Sequence, residues 1–242
     1  MKALHTPHIN ARYWTAITLA SVFGTNMGDF YAHESGLSTG AGLAVLAILT
    51  GIVFLAERFE NLRHELYYWL VIIIIRTGAT NIADYLAYRM HVPDPVLTLG
   101  LAALIALFGW GTVQKEQTVP GLPKTNAAYW LAMLSAGVFG TAVGDIFEHK
   151  IGEGTAAIGL TVLLLVVLFA GRERAARFIA LYWTTVAVAR TAGTAIGDWL
   201  AENEIIRVGL PLSTLFSGIA FFAVVLFWKG TSKDIPALSE AS

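Results

Sequence analysis

The chain has 242 residues, of which 56% are hydrophobic and only 14% charged, with a formal net charge of −1 and a mean hydropathy of +0.63. That composition excludes an ordinary soluble domain and points to the bilayer, and the absence of any Lys/Arg run gives no support to a nucleic-acid partner. With no cysteine there are no disulfides, thiolate metal sites or cysteine nucleophiles.

In chain order, residues 1–11 form a short polar segment and residues 12–33 a first apolar run. This run has the look of a signal peptide, but its recurrence at residues 129–149 argues against its removal. A second run covers 41–56, and a third, 66–89, contains Val71 and the four isoleucines Ile72 to Ile75. Propensity alone would suit that cluster to a buried strand; its length favours a membrane helix. Pro93-Asp94-Pro95 makes a turn before the fourth run, 96–110. Residues 113–126, with Pro120, Gly121 and Pro123, form the longest polar connection and the boundary between halves. The halves are 1–112 and 127–229. The second repeats the plan with runs at 127–149, 155–170, 177–202 and 208–228, and residues 230–242 are a polar tail.

One pattern recurs four times: Gly24-Thr25-x-x-Gly28-Asp29, Ala79-Thr80-x-x-Ala83-Asp84, Gly140-Thr141-x-x-Gly144-Asp145 and Gly193-Thr194-x-x-Gly197-Asp198. Each Asp lies 15 residues after the Trp of a Tyr-Trp pair, at Tyr13-Trp14, Tyr68-Trp69, Tyr129-Trp130 and Tyr182-Trp183. Four equal spacings are a strong internal-repeat signal. The expected fold is all-α and polytopic: eight transmembrane helices arranged as four parallel two-helix repeats, in two halves of four. Eleven of the Lys and Arg residues fall on the side holding both termini and three, Arg89, Lys150 and Arg207, on the other. Both termini are therefore expected in the cytoplasm, with the repeats related by an axis along the membrane normal.

At about 1.5 Å per residue, each Asp sits roughly 22 Å beyond its Trp, so Asp29, Asp84, Asp145 and Asp198 form a tier in the outer half of the membrane. Thr25, Thr80, Thr141 and Thr194 precede them by four residues and share their helix face about one turn deeper. Arg76 and Arg190 lie eight residues before Asp84 and Asp198. His33 and His149 follow Asp29 and Asp145 by four, a spacing that lets a carboxylate and an imidazole share a metal or a proton. Plainer readings exist. Small residues four apart suit close helix contacts, Tyr-Trp pairs suit interfacial anchors, threonines bond to the preceding turn, and histidines at helix ends are solvated. The arginines would pair with aspartates of neighbouring units. Charged residues inside a bilayer must in any case face the bundle interior. The charge-free runs 41–56, 96–110, 155–170 and 208–228 are then the outer, lipid-facing helices.

The fourfold motif, Arg76-Thr77 and Arg190-Thr191, and the eight-run layout resemble a family of bacterial integral membrane proteins built from repeats of unknown function. The resemblance implies a multi-pass protein of the bacterial inner membrane and brings no activity with it. The chemistry leads to a transporter or channel for a cation, a divalent metal ion first and protons second. The four Asp would be ligands, Asp29, His33, Asp145 and His149 a metal set, and Glu34 and Glu148 a source of negative potential at the mouth. Two alternatives stand: an anionic or zwitterionic substrate held by Arg76 and Arg190 with proton coupling through the Asp, and a scaffold whose charges only hold the bundle. The partners expected are the lipid bilayer and a small ion or small molecule, with homo-oligomerisation open and no nucleic acid. An enzyme is not expected, since neither a Glu-x-x-His pair, a His-Glu-x-x-His motif nor a nucleophile setting is present.

Overall fold

The computed structural model describes residues 7–59, 65–113, 123–171, 178–203 and 208–228. The polar tail, most of the 113–126 connection and several of the basic residues used for orientation lie outside the described residues. Eight α-helices follow one another: α1 (Ala11–Glu34), α2 (Thr39–Phe59), α3 (Leu66–Asp84), α4 (Asp94–Trp110), α5 (Ala127–Ile151), α6 (Glu153–Gly171), α7 (Ile179–Glu202) and α8 (Gly209–Phe227). A π-helical turn, Tyr85–Arg89, continues α3 directly after Asp84. No strand occurs among the described residues, so the β-branched 71–75 cluster is helical: Val71, Ile72 and Ile73 are buried along α3, and Ile74 and Ile75 are partly exposed.

Local signals start and stop these helices. Asn10 and Asn126 occupy equivalent N-caps, each side-chain oxygen accepting the backbone N–H of a repeat tyrosine, Tyr13 or Tyr129, at 3.0 Å. Pro93 and Pro95 begin α4, where a missing N–H costs nothing. Gly152, at φ +83°, turns the chain tightly from α5 into α6.

Packing separates the odd helices from the even ones. The helix α1 packs against α3 and α7, and α5 also packs against α3 and α7, so the four odd helices close a ring. Each even helix leans on the odd helix that follows it, α2 on α3, α4 on α5, α6 on α7 and, closing the circle, α8 on α1. Gly42 and Leu46 are the buried residues of α2, whereas α1 buries a continuous stretch from Ala20 to Asn26. Outward, Ile48, Leu99, Ile158, Phe169 and Phe227 are each more than 60% exposed. An exposed apolar surface of that extent is compatible with contact with lipid.

Five helices are long and apolar enough to cross a membrane: α2, α3 with its π turn, α5, α6 and α8; α4 is apolar but shorter. The chain is therefore membrane-like and multi-helical. By composition α1 and α7 fall short of the other five, because they carry buried polar residues such as Ser21, Asn26, Arg190 and Thr191.

Small residues set how closely the ring closes, and they do so in cyclic order. A side chain begun at Gly24 of α1 would run into the Cβ and Cγ of Arg76 on α3. Gly137 of α5 faces Ala79 of α3, where a Cβ would come within 2.7 Å. Gly140 of α5 faces the backbone of Arg190 on α7, and Gly193 of α7 faces Ser21 of α1. The small residues of the repeated motif thus let each inner helix approach the next, as small residues do at membrane helix contacts.

Candidate functional site

Counting along each inner helix from its repeat tyrosine places the polar residues in layers. The first layer is the tyrosines themselves. Tyr13, Tyr68, Tyr129 and Tyr182 are all at most 1% exposed, and their hydroxyls close a square: 13 to 182 at 2.6 Å, 182 to 129 at 2.9 Å, 129 to 68 at 2.6 Å and 68 to 13 at 3.3 Å. Each phenol can donate once and accept once around such a ring, so four buried polar groups satisfy one another without water. This corrects the reading of the Tyr-Trp pairs as interfacial anchors. The partner tryptophans Trp14, Trp69 and Trp183 are buried as well and stack around the square through edge contacts about their own tyrosines. Nearby, Arg12 and Glu65 form an ion pair at 2.7 Å, with a second Arg12 bond to the Val225 carbonyl tying α1 and α8 together.

Four residues on from the tyrosines come Ile17, Ile72, Met133 and Val186, all fully buried, and they make an apolar layer. Eight residues on stand Ser21, Arg76, Gly137 and Arg190. Both arginines are 0% exposed, and they extend in opposite directions. Arg76 reaches toward the threonine layer: its Nη1 donates to Thr80 (2.8 Å) and Thr141 (3.0 Å), its Nη2 to Thr25 (2.5 Å) and Thr194 (2.6 Å). One guanidinium therefore binds the repeat threonine of all four inner helices. Arg190 reaches the other way, toward the tyrosine square, and donates to Ser21 Oγ at 3.2 Å and Met133 Sδ at 3.8 Å. Neither arginine forms an ion pair with a carboxylate among the described residues. The expected Arg–Asp pairing is thus replaced by a charge held on neutral hydroxyls.

The threonines do two jobs. Thr25 and Thr194 donate to the carbonyls of Ser21 and Arg190 in the preceding turn at 2.9 and 3.1 Å, as expected for membrane threonines, and their oxygens accept from Arg76 as well. All four are at most 2% exposed.

Above them the aspartates Asp29, Asp84, Asp145 and Asp198 are all partly exposed. The stack is therefore closed at the tyrosine end and partly open at the aspartate end. On that end Asp145, Glu148 and Asp198 bring one carboxylate oxygen each to within 4.8 Å of one another. Glu148 Oε1 is buried without a hydrogen-bond partner. Asp29 and Asp84 stand on α1 and α3, outside that cluster. His33 and His149 are exposed, and each ring turns its Nδ1 onto the backbone carbonyl of the Asp four residues earlier, at 2.7 Å, rather than onto a carboxylate. The structure thus assembles two of the four repeat Asp with a glutamate; it does not bring the two histidines to them. Glu148, expected only to add negative potential at the mouth, lies three residues after Asp145 and so shares its helix face.

A cavity of about 550 Å³ lies outside the ring, between α4, α5, α6 and α7, lined by apolar side chains such as Ile105, Phe139, Leu160 and Trp183. It contains no ionisable lining residue and opens on the surface that would meet lipid.

These features define a helical membrane-type protein with an internal repeat. The sequence model of a family described as Repeat of Unknown Function (DUF347) matches residues 12–60 and 181–234. Those two stretches contain α1 with α2 and α7 with α8, in each case one inner helix and the outer helix that follows it. No curated protein and no solved structure matches the chain.

Proposed function

We propose that the protein is a carrier for a small cation in the bacterial inner membrane, with a divalent metal ion of the oxygen-preferring kind as its substrate. All eight helices cross the bilayer in this reading, as four parallel two-helix units about an axis normal to the membrane, with both termini cytoplasmic. The composition of α1 and α7 does not oppose this, because most of their strongly polar residues, such as Ser21, Thr25, Arg190 and Thr194, are buried within the bundle. The 17 residues of α4 fall at the short end of the spanning range of about 17–25.

The observation that carries the reading is the Asp145–Glu148–Asp198 cluster, two helices converging three carboxylate oxygens at the partly exposed end of an otherwise closed stack. A lone carboxylate there would be unremarkable, but three in reach of one another repel unless a cation or protons join them. An all-oxygen set without imidazole or thiolate suits Mg²⁺, Mn²⁺ or Ca²⁺ in preference to softer metals. The stack beneath rules against a continuous pore: an ion leaving the cluster inward meets the charge of Arg76, then an apolar layer, then a closed square of hydroxyls. Passage requires the inner helices to rearrange, which is the behaviour of a carrier.

Elemental analysis of protein purified in a non-ionic detergent and equilibrated with Mn²⁺ tests the binding. Stoichiometric metal in the native chain, lost in Asp145→Asn and Asp198→Asn, is the expected result. A native chain that binds none of Mg²⁺, Mn²⁺ or Ca²⁺ would turn the assignment toward a scaffold, a role also consistent with Arg76 spending four bonds on structural hydroxyls.

A further inference from the structure

The cavity between α4, α5, α6 and α7 lies where the two halves of the repeat are filled differently. Pro95 of α4 and Pro211 of α8 are 116 residues apart, the same interval as Tyr13 to Tyr129. Ile105 and Ala106 of α4 therefore correspond to Phe221 and Phe222 of α8, and Phe139 of α5 to Phe23 of α1. On the α8 side both rings pack on Phe23 at a centroid distance of 6.3 Å, and Phe221 also meets Trp69 at 6.0 Å. On the α4 side an isoleucine and an alanine stand in their place, and Phe139 and Trp183 line an open volume of about 550 Å³. Gly109 admits the edge of the Trp183 ring to α4, since a Cβ there would come within 2.7 Å of it.

The cavity is long rather than round. Its α7 wall runs from Ile179 to Thr191, twelve residues or about 18 Å along a helix, close to half of a hydrocarbon core of about 30 Å. It begins at the tyrosine end of the bundle, where Trp110 closes α4 and is 78% exposed, and runs toward the middle. Two hydroxyls interrupt its apolar lining. Thr191 donates to the carbonyl of Ala187 in the preceding turn at 3.0 Å, as membrane threonines do. Thr184 is exposed and has no hydrogen-bond partner among the described residues; a hydroxyl facing hydrocarbon costs free energy until a polar group reaches it. A cation stands at the mouth. The Lys124 backbone N–H donates to the Thr112 carbonyl at 3.2 Å, and the Thr112 hydroxyl accepts from Trp183 Nε1 at 3.3 Å, so the exposed Lys124 is two contacts from the cavity wall.

We infer that this cavity holds one acyl chain of a phospholipid from the leaflet on the tyrosine side. The chain lies along α7 between α4 and α6, in the volume that Phe221 and Phe222 occupy in the other half. Thr184 donates to the ester carbonyl at which the chain joins its glycerol, and Lys124 lies beside the phosphate. The inference rests on the membrane placement proposed above and not on cation transport.

The test takes the full chain from its membrane in a non-ionic detergent, washes it extensively in that detergent, and measures phospholipid per chain by solvent extraction, phosphorus assay and mass spectrometry. One-to-one stoichiometry is expected. Ala106→Phe copies the α8 ring into the cavity and Ala187→Phe fills it from α7; each should lower retention about tenfold or more, because the displaced methylenes lose their apolar contacts. Ala47→Phe, on the exposed face of α2, should retain lipid as the native chain does. So should Asp145→Asn, which disables the carboxylate cluster, so that this inference and the carrier reading fail separately. Thr184→Val should weaken retention about two- to tenfold, the range of one hydrogen bond, and it decides the matter where the phenylalanine variants do not fold, since it keeps the shape of the side chain. A native chain that retains no phospholipid would overturn the inference, and so would detergent or a phosphorus-free lipid as the retained molecule. Retention by Ala106→Phe or Thr184→Val equal to that of the native chain would overturn it too, by locating the lipid elsewhere on the surface.

Discussion

Thr194→Val is the sharpest probe of the ring, because it removes one hydroxyl from the four that hold Arg76 while keeping the side chain's shape. Thr194 Oγ1 accepts from Arg76 Nη2 at 2.6 Å and donates to the Arg190 carbonyl at 3.1 Å. Valine deletes both bonds. The second has a substitute in the helix's own bonding, but the first leaves an N–H of a fully buried cation without an acceptor, at a cost of about 1–3 kcal/mol. Arg76→Met removes all four threonine bonds together with the buried charge, so part of its cost is offset by the desolvation penalty it relieves. The informative quantity is the coupling between them. In a cycle of Thr194→Val, Arg76→Met and the double variant, Thr194→Val should cost much less once Arg76 is gone, giving a coupling energy of about 1–2 kcal/mol, within the range for residues in one network. Reversible unfolding in mixed micelles followed by circular dichroism measures it. Additive effects within about 0.5 kcal/mol would mean that Arg76 does not hold Thr194, and the fourfold clamp would have to be abandoned.

Tyr182→Phe opens two edges of the hydroxyl square, toward Tyr13 and Tyr129, and should destabilise the protein by about 1–3 kcal/mol in the same unfolding assay; a neutral result would remove the square's role as a seal. Gly140→Ala places a methyl 2.6 Å from Arg190 Cβ and 2.7 Å from its backbone carbon, an overpacking worth about 1–3 kcal/mol of lost stability. Gly51→Ala on outer helix α2 meets nothing within 4 Å and should be neutral or stabilise by up to about 1 kcal/mol through helix propensity; equal effects at the two glycines would contradict the inner and outer assignment. His33→Ala and His149→Ala, singly and together, should leave Mn²⁺ binding within about twofold of the native chain, well under the tenfold that one ligand bond represents, since both imidazoles face backbone carbonyls.

The repeat, the helix count and the polar register were legible because they are written as spacings. Tyrosine, arginine, threonine and aspartate recur at fixed offsets, and the small residues of the motif foretell close contacts such as Gly24 with Arg76. What those offsets do not reveal is direction. A straight helix advances about 40° for every four residues, so tyrosine and threonine twelve apart read as different faces. They converge on one centre only if neighbouring helices cross with their four-residue ridges facing inward. For that reason the tyrosines looked like interface anchors, and nothing in the sequence said that Arg76 and Arg190, in equivalent positions, would extend opposite ways. The asymmetry arises from what each meets: Arg76 finds four threonines within reach, and Arg190 finds Ser21 and Met133. Glu148 was read only as a source of negative potential at the mouth, for a different reason. It breaks the repeat, the equivalent positions being Ala32, Ala87 and Ala201, so the fourfold motif gives no sign that it joins two of the repeat aspartates.

Uptake of Mn²⁺ into proteoliposomes containing the purified chain tests the carrier assignment most directly. The account predicts saturable uptake above protein-free vesicles, reduced about tenfold or more by Asp198→Asn at unchanged protein incorporation, and competed by Mg²⁺ or Ca²⁺. Uptake equal in the native chain, the Asp198→Asn variant and empty vesicles would contradict it and leave the carboxylate cluster without a transported ion.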